Sequence, residues 1–481
     1  MFSTLYFAAT SSLSSESSHR TIFEHVMHGR ISEAVAMSAT VCDERSGAAT
    51  ASAADWQLYA DLQLVLGRHD EAEDSFRKVH KSVRQSRDAI RIASCRNAAW
   101  QAFFQNRFST ALACFNRVAI EPGVTSVQRL TARIGTVLAL HHLGCLDVAA
   151  HLSKLHELAS EETDSRWRLV VNALHRDILT QHHIRASSQL DDHIYWRSAV
   201  ADFLPRYSDG GDDSIIVKIR SEMPLLGERL VHLDRLRSYA DGKVVAVEDI
   251  EEHIHWSLRA GLDEYHRTLC LDITLAALAG NSLLIAENML GRCRDAGSPG
   301  QQHERWYLDY LYCLAKVRRA QGRIHEAVQH YGRYALASMK HVRADCVALS
   351  SVGATPLVQP AANATRSDDV SACLPGKYRR AYRYLMENLD QRGLSVREIA
   401  AHVGVTERAL QIAFKAHLGL SPRELIQRQR MERIRDELLD EEAPPASVLG
   451  VANKWGVRHR STLLSGYRKL FNEAPSETLA R

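Results

Sequence analysis

Four residues near the C-terminal end of this chain have types and spacing that suit one kind of chemistry. Arg408, Gln411, Ile412 and Lys415 fall at i, i+3, i+4 and i+7, a single stripe of a helix. A guanidinium can take O6 and N7 of guanine together, and a carboxamide can take N6 and N7 of adenine. Lys415, farther along, suits a phosphate. Such a stripe reads base edges in a DNA major groove. A second set, Arg460, Ser461, Leu464, Ser465 and Arg468, shares the outer face of a later helix. Ile412 and Leu464 either touch thymine methyl groups or lie partly buried.

Other chemistry finds no support. The chain has no His-Glu-x-x-His, no phosphate-binding loop, no Gly-x-Gly-x-x-Gly and no Gly-x-Ser-x-Gly. Its 24 histidines include the pairs His141–His142, His182–His183 and His253–His255. Adjacent or alternating histidines point in different directions on a helix, and no carboxylate completes a metal site. Asp191–Asp192 and Asp212–Asp213 read as loop or helix-cap acids. The expectation is a protein that is not an enzyme and needs no metal or cofactor.

The stripes need helices to hold them. Tyr378, Ala381, Tyr382, Leu385 and Leu389 form an apolar helical face. Ser395-x-x-Glu398 is a capping box that starts a short helix carrying Ile399, Ala400 and Val403 and ending at Gly404. Thr406 caps the next helix, whose Leu410, Phe414 and Leu418 must point inward. Two short helices joined by a tight Gly turn make a helix-turn-helix, residues 394–419. Ser421-Pro422-Arg423-Glu424 is a second capping box with Pro at the first helical position. The helix it opens, 422–440, is roughly 19 residues or about 28 Å long. Pro444–Pro445 stop it, and 447–471 form a second helix-turn-helix with its turn at Gly456. There Leu463, Tyr467 and either Leu470 or Phe471 face inward. A rigid helix thus holds two such units about one DNA turn, near 34 Å, apart.

These residues carry a resemblance. Leu394-Ser-Val-Arg-Glu-Ile-Ala-Ala-His-Val-Gly-Val, Leu418-Gly-Leu-Ser-Pro and Tyr467-Arg-Lys-Leu-Phe-Asn-Glu-Ala-Pro-Ser-Glu are similar, in order and spacing, to the DNA-binding domain of AraC/XylS-type regulators. The resemblance implies base-facing roles for Arg408, Gln411 and Ile412, and for Arg460, Ser461, Thr462, Leu464 and Ser465. Two departures stand out. Val457 takes a place where the family usually has Phe, and Gly466 sits inside a helix, at about 1 kcal/mol relative to Ala.

A different pattern runs through the first part. Gly29–Ile31–Ala34, Gly67–His69–Ala72, Asn106–Phe108–Ala111 and Gly144–Leu146–Ala149 recur, and Gly322–Ile324–Ala327 stands later. Phe76, Phe115 and Tyr331 lie four residues past the Ala, and Trp56 precedes Gly67. Gly or Asn can end one helix in a left-handed conformation, and a small Ala lets the next approach closely. The series resembles tetratricopeptide repeats in degenerate form; a generic bundle of helical hairpins is the alternative. The fold class expected is all-α: a TPR-like array over 1–346, a linker over 347–376 and an AraC-type domain over 377–481. Residues 160–300 read as mostly helical, with a loop at Asp209–Gly210–Gly211–Asp212–Asp213 and either a short strand or a buried helical stretch at Lys243 to Val247.

Composition agrees with a soluble multidomain chain: 481 residues, 45% hydrophobic and 24% charged. Residues 377–481 hold 19 Lys and Arg against 13 Asp and Glu, while the rest of the chain is net acidic. The positive excess lies where phosphates must be held. Nine cysteines without a C-x-x-C pair indicate a reducing compartment. The apolar patch Leu5 to Ala9, followed by serines, is too short for a signal peptide, and no run reaches the about 18 apolar residues of a membrane span. A cytoplasmic protein is expected, with promoter DNA as partner and no membrane.

The length and the helical first part, in place of a sugar-binding domain, resemble the HrpB/HrpX group of activators. That resemblance implies control of type III secretion and virulence genes, paired direct repeats as targets and RNA polymerase as a partner. Geometry alone leaves activator and repressor open. It also leaves open whether the array recruits a protein, self-associates, senses a ligand or is itself the working part, as an interaction scaffold.

Overall fold

The computed structural model describes every residue except 49–50, 83–86, 146–147, 204–212, 244–245, 296–304, 353–373, 375, 439–446, 458, 472 and 480–481. Among the described residues all regular structure is helical. The chain divides into two compact units, Met1–Ser82 with Ala99–Ser351, and Val83–Ala98 with Val352–Arg481.

The first unit contains α1 (Ser3–Ser14), α2 (Arg20–Met27), α3 (Ile31–Ala48), α4 (Ala53–Val65), α5 (His69–Ser82), the last third of α6 (Arg87–Phe104), α7 (Phe108–Ile120), α8 (Ser126–His142), α9 (Val148–Glu161) and α10 (Arg166–Arg185). It continues with α11 (Ile194–Phe203), α12 (Asp213–Glu222), α13 (Pro224–Ala240), α14 (Val247–Arg259), α15 (Asp263–Ala279), α16 (Leu283–Asp295), α17 (Trp306–Ala320) and α18 (Ile324–Val352).

The recurring Gly and Asn positions mark hairpin turns. Gly29, Gly67, Asn106, Gly144 and Gly322 all have φ between 58° and 77°, the left-handed region that lets a chain leave one helix and enter the next. The repeat alanines Ala34, Ala72, Ala111 and Ala149 are buried. Leu146 lies outside the described residues. Phe115, four past Ala111, packs on the following hairpin so closely that a Cβ at Gly135 would meet its ring at 2.4 Å. Asn281 (φ 60°), Leu283 and buried Ala286 repeat the same pattern between α15 and α16, a copy that the sequence pattern did not reveal.

Of the stretch Lys243 to Val247, expected as a short strand or a buried helical stretch, Lys243 and Ala246 lie in the connection into α14, which starts at Val247, and Val244–Val245 fall outside the described residues. The apolar patch near the start is a helix buried on every side, with Leu5, Tyr6, Phe7, Ala8 and Ala9 inaccessible. Ser3, Ser11 and Ser12 are buried with it, while Ser14 at its end is exposed. Ser12 donates back to the Ala8 carbonyl at 2.8 Å, and Ser11 donates to Asp61. The loop expected at 209–213 lies outside the described residues save for Asp213, the first residue of α12, and most of the expected linker, 353–373 and 375, also lies outside them. Helix α18 continues to Val352, beyond the point where sequence periodicity fades.

An ionic cluster ties the centre of this unit. The Arg229 guanidinium is fully buried, donating to Asp177 at 2.9 and 3.0 Å and to Asp272 at 3.2 Å, while Tyr6 donates to Asp177 at 3.2 Å. Helices α1, α10, α13 and α15 meet there. Alongside lies a cavity of about 70 Å³ lined by His141, Gln181, Arg185, Trp196, Arg305 and Asp309, among others. Asp309 already accepts from Arg185, His193 and Trp196.

Candidate nucleic-acid interface

The second unit's C-terminal part comprises α19 (Gly376–Glu387), α20 (Val396–His402), α21 (Glu407–Leu418), α22 (Pro422–Leu438), α23 (Val448–Lys454), α24 (Arg460–Phe471) and α25 (Pro475–Leu479). Local chemistry sets the starts. The Ser395 hydroxyl accepts from the Glu398 N–H at 3.2 Å, and that of Thr406 accepts from Ala409 at 3.2 Å. The Glu398 carboxylate does not return to Ser395. It accepts from the Tyr384 hydroxyl at 2.9 Å, and the Tyr384 ring stacks on His402, so the first capping box is half-made and its acid anchors α20 to α19. The second box is complete: Ser421 N–H donates to Glu424 at 2.9 Å and Glu424 N–H to the Ser421 hydroxyl at 3.3 Å.

These caps orient α21. Leu410, Ala413, Phe414 and Leu418 are buried, and Arg408, Gln411, Ile412 and Lys415 are exposed together on the other face. Ile412 is 59% exposed, so the partly buried alternative does not describe it. No carboxylate among the described residues pairs with Arg408 or Lys415, which leaves both charges available to an external anion.

Helix α24 is held by a core of Met431, Ile434, Leu438, Val451, Ala452, Val457, Leu463 and Tyr467, with Phe471 rather than Leu470 packed against it. Arg460, Ser461, Thr462, Ser465 and Arg468 are exposed, whereas Leu464 is half-buried. Leu464 is thus the more constrained of the two apolar residues. Val457 fills its place as part of the core. Gly466 also has a reason: it is buried, and a Cβ there would stand 3.1 Å from the Gln427 amide and 3.4 Å from Met431. Its absence lets α24 lie close on α22, which offsets the helix-propensity cost. Tyr467 then donates to Thr478 on α25 at 2.9 Å, and the Thr478 hydroxyl donates in turn to Glu473 at 3.0 Å.

Sequence reasoning missed Arg430, midway along α22. Its guanidinium donates to the carbonyls of Leu389 at 3.0 Å, Gln391 at 2.7 Å and Gly456 at 3.5 Å. The first two follow α19, and the third is the turn of the second helix-turn-helix. Burial lowers its pKa somewhat, but an arginine stays charged. One side chain thereby ties the segment that leads into the first helix-turn-helix, and the turn of the second, to the helix between them. No sequence signal marks it among the cations of α22, because all its acceptors are backbone.

The exposed stripe of α21, the matching face of α24 and the shared helix α22 define a class: a transcription regulator that binds DNA through two helix-turn-helix units of the AraC type. A family model described as a helix-turn-helix domain matches residues 399–481. The chain is 37% identical over 427 residues to the regulatory protein HrpB of Ralstonia nicotianae, a match covering 88% of each chain. The C-terminal part alone is 36% identical over 106 residues to a probable thc operon regulatory protein of Rhodococcus erythropolis, covering 22% of this chain and 32% of that one. It is 33% identical over 104 residues to the XylDLEGF operon transcriptional activator 1 of Pseudomonas putida, covering 22% and 31%. No solved structure matches. The chain belongs to the HrpB family of regulatory proteins.

Proposed function

We propose that this protein activates transcription by reading two successive major grooves of promoter DNA, and that its regulon includes type III secretion and virulence genes. The observation that carries the reading is the exposed stripe Arg408, Gln411, Ile412 and Lys415 on α21, whose cations pair with no carboxylate among the described residues, backed by a connection through α22 to a second helix with Arg460, Ser461, Thr462, Ser465 and Arg468 outward. Arg408 and Gln411 serve as base readers, Ile412 contacts a thymine methyl, and Lys415 and Arg468 hold phosphates. Residues 377–481 are the DNA-binding part, 1–346 the helical array and 347–376 the linker. The setting is the cytoplasm, where RNA polymerase is the partner. Activation follows the names of the relatives rather than the geometry. No helix among the described residues is long and apolar enough to cross a membrane.

The test is chromatin immunoprecipitation with sequencing of the full chain beside an Arg408→Ala/Gln411→Ala variant. Discrete peaks over secretion promoters with a shared repeat, lost in the variant, are expected. Peaks that persist in the variant, or that avoid such promoters, refute the assignment.

A further inference from the structure

Helix α18, the last helix of the first unit in chain order, carries an unusual outer face. Five of the thirteen large apolar side chains exposed among the described residues sit on it: Ile324, Val328, Leu336, Met339 and Val342, each 43–68% exposed. Single exposed apolar residues are ordinary, but clustered ones are not. These five fall within about a third of the helix circumference and extend about 28 Å along it.

A separate face attaches the helix to the array. Ala327, Tyr334 and Ser338 are buried, Tyr334 bonds the His193 ring at 2.8 Å, and Tyr331 donates to the Asp192 carbonyl at 2.8 Å. The apolar stripe is therefore not the side by which α18 is held.

The repeat itself indicates what is missing. Two residues after the turn in earlier hairpins, Ile31 and Phe108 are 0% and 1% exposed, and His69 and Leu283 are half-buried. Ile324 occupies the same place in the hairpin of α17 and α18 and is 57% exposed. A stacked array covers each hairpin with the next, and a true end repeat carries a polar outer face. Here the covering position stays apolar and bare.

The charges beside the stripe select the kind of helix that would cover it. Arg333, Lys340 and Arg343 are exposed along one edge. The acids of this helix are consumed: Glu326 by Arg318 and Arg323, and Asp345 by Arg305. An antiparallel second copy of α18 would set the three cations against their own counterparts. We propose that this face of α18 is a docking site for an amphipathic, acidic helix of a partner protein, which completes the array as a following hairpin would. The inference does not depend on the promoter assignment.

The experiment uses the full chain and a fluorescein-labelled synthetic helix with leucines at i, i+3, i+4 and i+7 and glutamates on both flanks. A control peptide has every glutamate replaced by lysine. Fluorescence anisotropy should show the acidic peptide binding about tenfold or more tightly than the basic one. Leu336→Asp/Met339→Asp should weaken the acidic peptide by about tenfold or more. Arg333→Glu/Lys340→Glu/Arg343→Glu should invert the preference. Because all five altered side chains are exposed, the thermal midpoint and promoter binding of both variants should equal those of the parent. Equal affinity for the two peptides, or unaltered binding by the aspartate variant, overturns the proposal. So does a sedimentation mass that halves in the aspartate variant, which gives the face to a second copy. Lost promoter binding in a folded variant would assign the face to DNA reading and overturn it likewise.

Discussion

On α21 the same exposed stripe carries two kinds of contact, and substitutions should separate them. Arg408→Ala should lose discrimination at one base position, by about 1–3 kcal/mol, with little change at others. Lys415→Ala should weaken all sequences alike and reduce the salt slope by about one. Competition binding over a library of single-base variants at several salt concentrations reads both. Uniform weakening by Arg408→Ala would make that residue a backbone contact. Ile412 has its own test, because its 59% exposure leaves the side chain free to meet a methyl group. Replacing one thymine of the site by uracil should weaken the parent and leave Ile412→Ser indifferent. If no thymine position behaves this way, Ile412 plays another part.

At the scale of elements, the second helix-turn-helix depends on how closely α24 lies on α22. Gly466→Leu introduces atoms where Gln427 and Met431 already stand, and should cost about 1–3 kcal/mol in urea unfolding of the second unit while impairing recognition of one half-site. Unchanged stability would mean that the two side chains move aside freely. This closeness was not legible in the sequence, where Gly466 reads only as a poor helix former. The helix starts were legible, because Ser395, Thr406, Ser421 and Ser447 each act on the N–H group three residues on. Arg430 was not, because its acceptors lie 26–41 residues distant and are backbone. The same holds for α1. A helix buried all round has no amphipathic period to detect, and it reads as a short apolar patch. The hairpin at Asn281 was missed for a different reason: Ala34, Ala72, Ala111 and Ala149 follow one another at 38 or 39 residues, but α10 to α14 interrupt that spacing before the copy at Asn281.

Over the whole molecule, the first unit has an interior with many ionisable groups, and its stability should respond to pH. Burial holds the imidazoles of His142, His182 and His253 at about 3, and those of His141 and His232 well below their usual value. In the unfolded chain these groups titrate near pH 6.5. As pH falls, the unfolded state therefore takes up protons first. Stability is full above about pH 6.5 and is lost progressively toward pH 3, each imidazole contributing a slope approaching 1.4 kcal/mol per pH unit. Urea unfolding at pH 7.5 and 5.5 should show a clear drop in midpoint at the lower pH; a flat or rising midpoint would contradict the buried neutral histidines. The Arg229 cluster makes a second global prediction. Arg229→Ala strands Asp177 and Asp272 without a cation and should cost about 3–5 kcal/mol, seen as early melting of the first unit. Promoter binding at low temperature should survive, since the reading helices lie in the other unit.

The Arg430 contacts have a consequence for the DNA as well as for the protein. When two readers cannot turn independently, the second meets its site as an intramolecular event, and the pair gains from chelation far beyond either alone. That gain exists only when both half-sites present the same face of the duplex. Inserting about five base pairs, half a helical repeat, puts the second site out of phase and should reduce affinity to that of a single unit, while a full-turn insertion places it beyond the reach of the fixed α22. Arg430→Gln removes the guanidinium bonds and should flatten this dependence, giving up affinity at native spacing while tolerating altered spacings better. A single half-buried guanidinium would thereby set the spacing that the promoters of this regulator must keep.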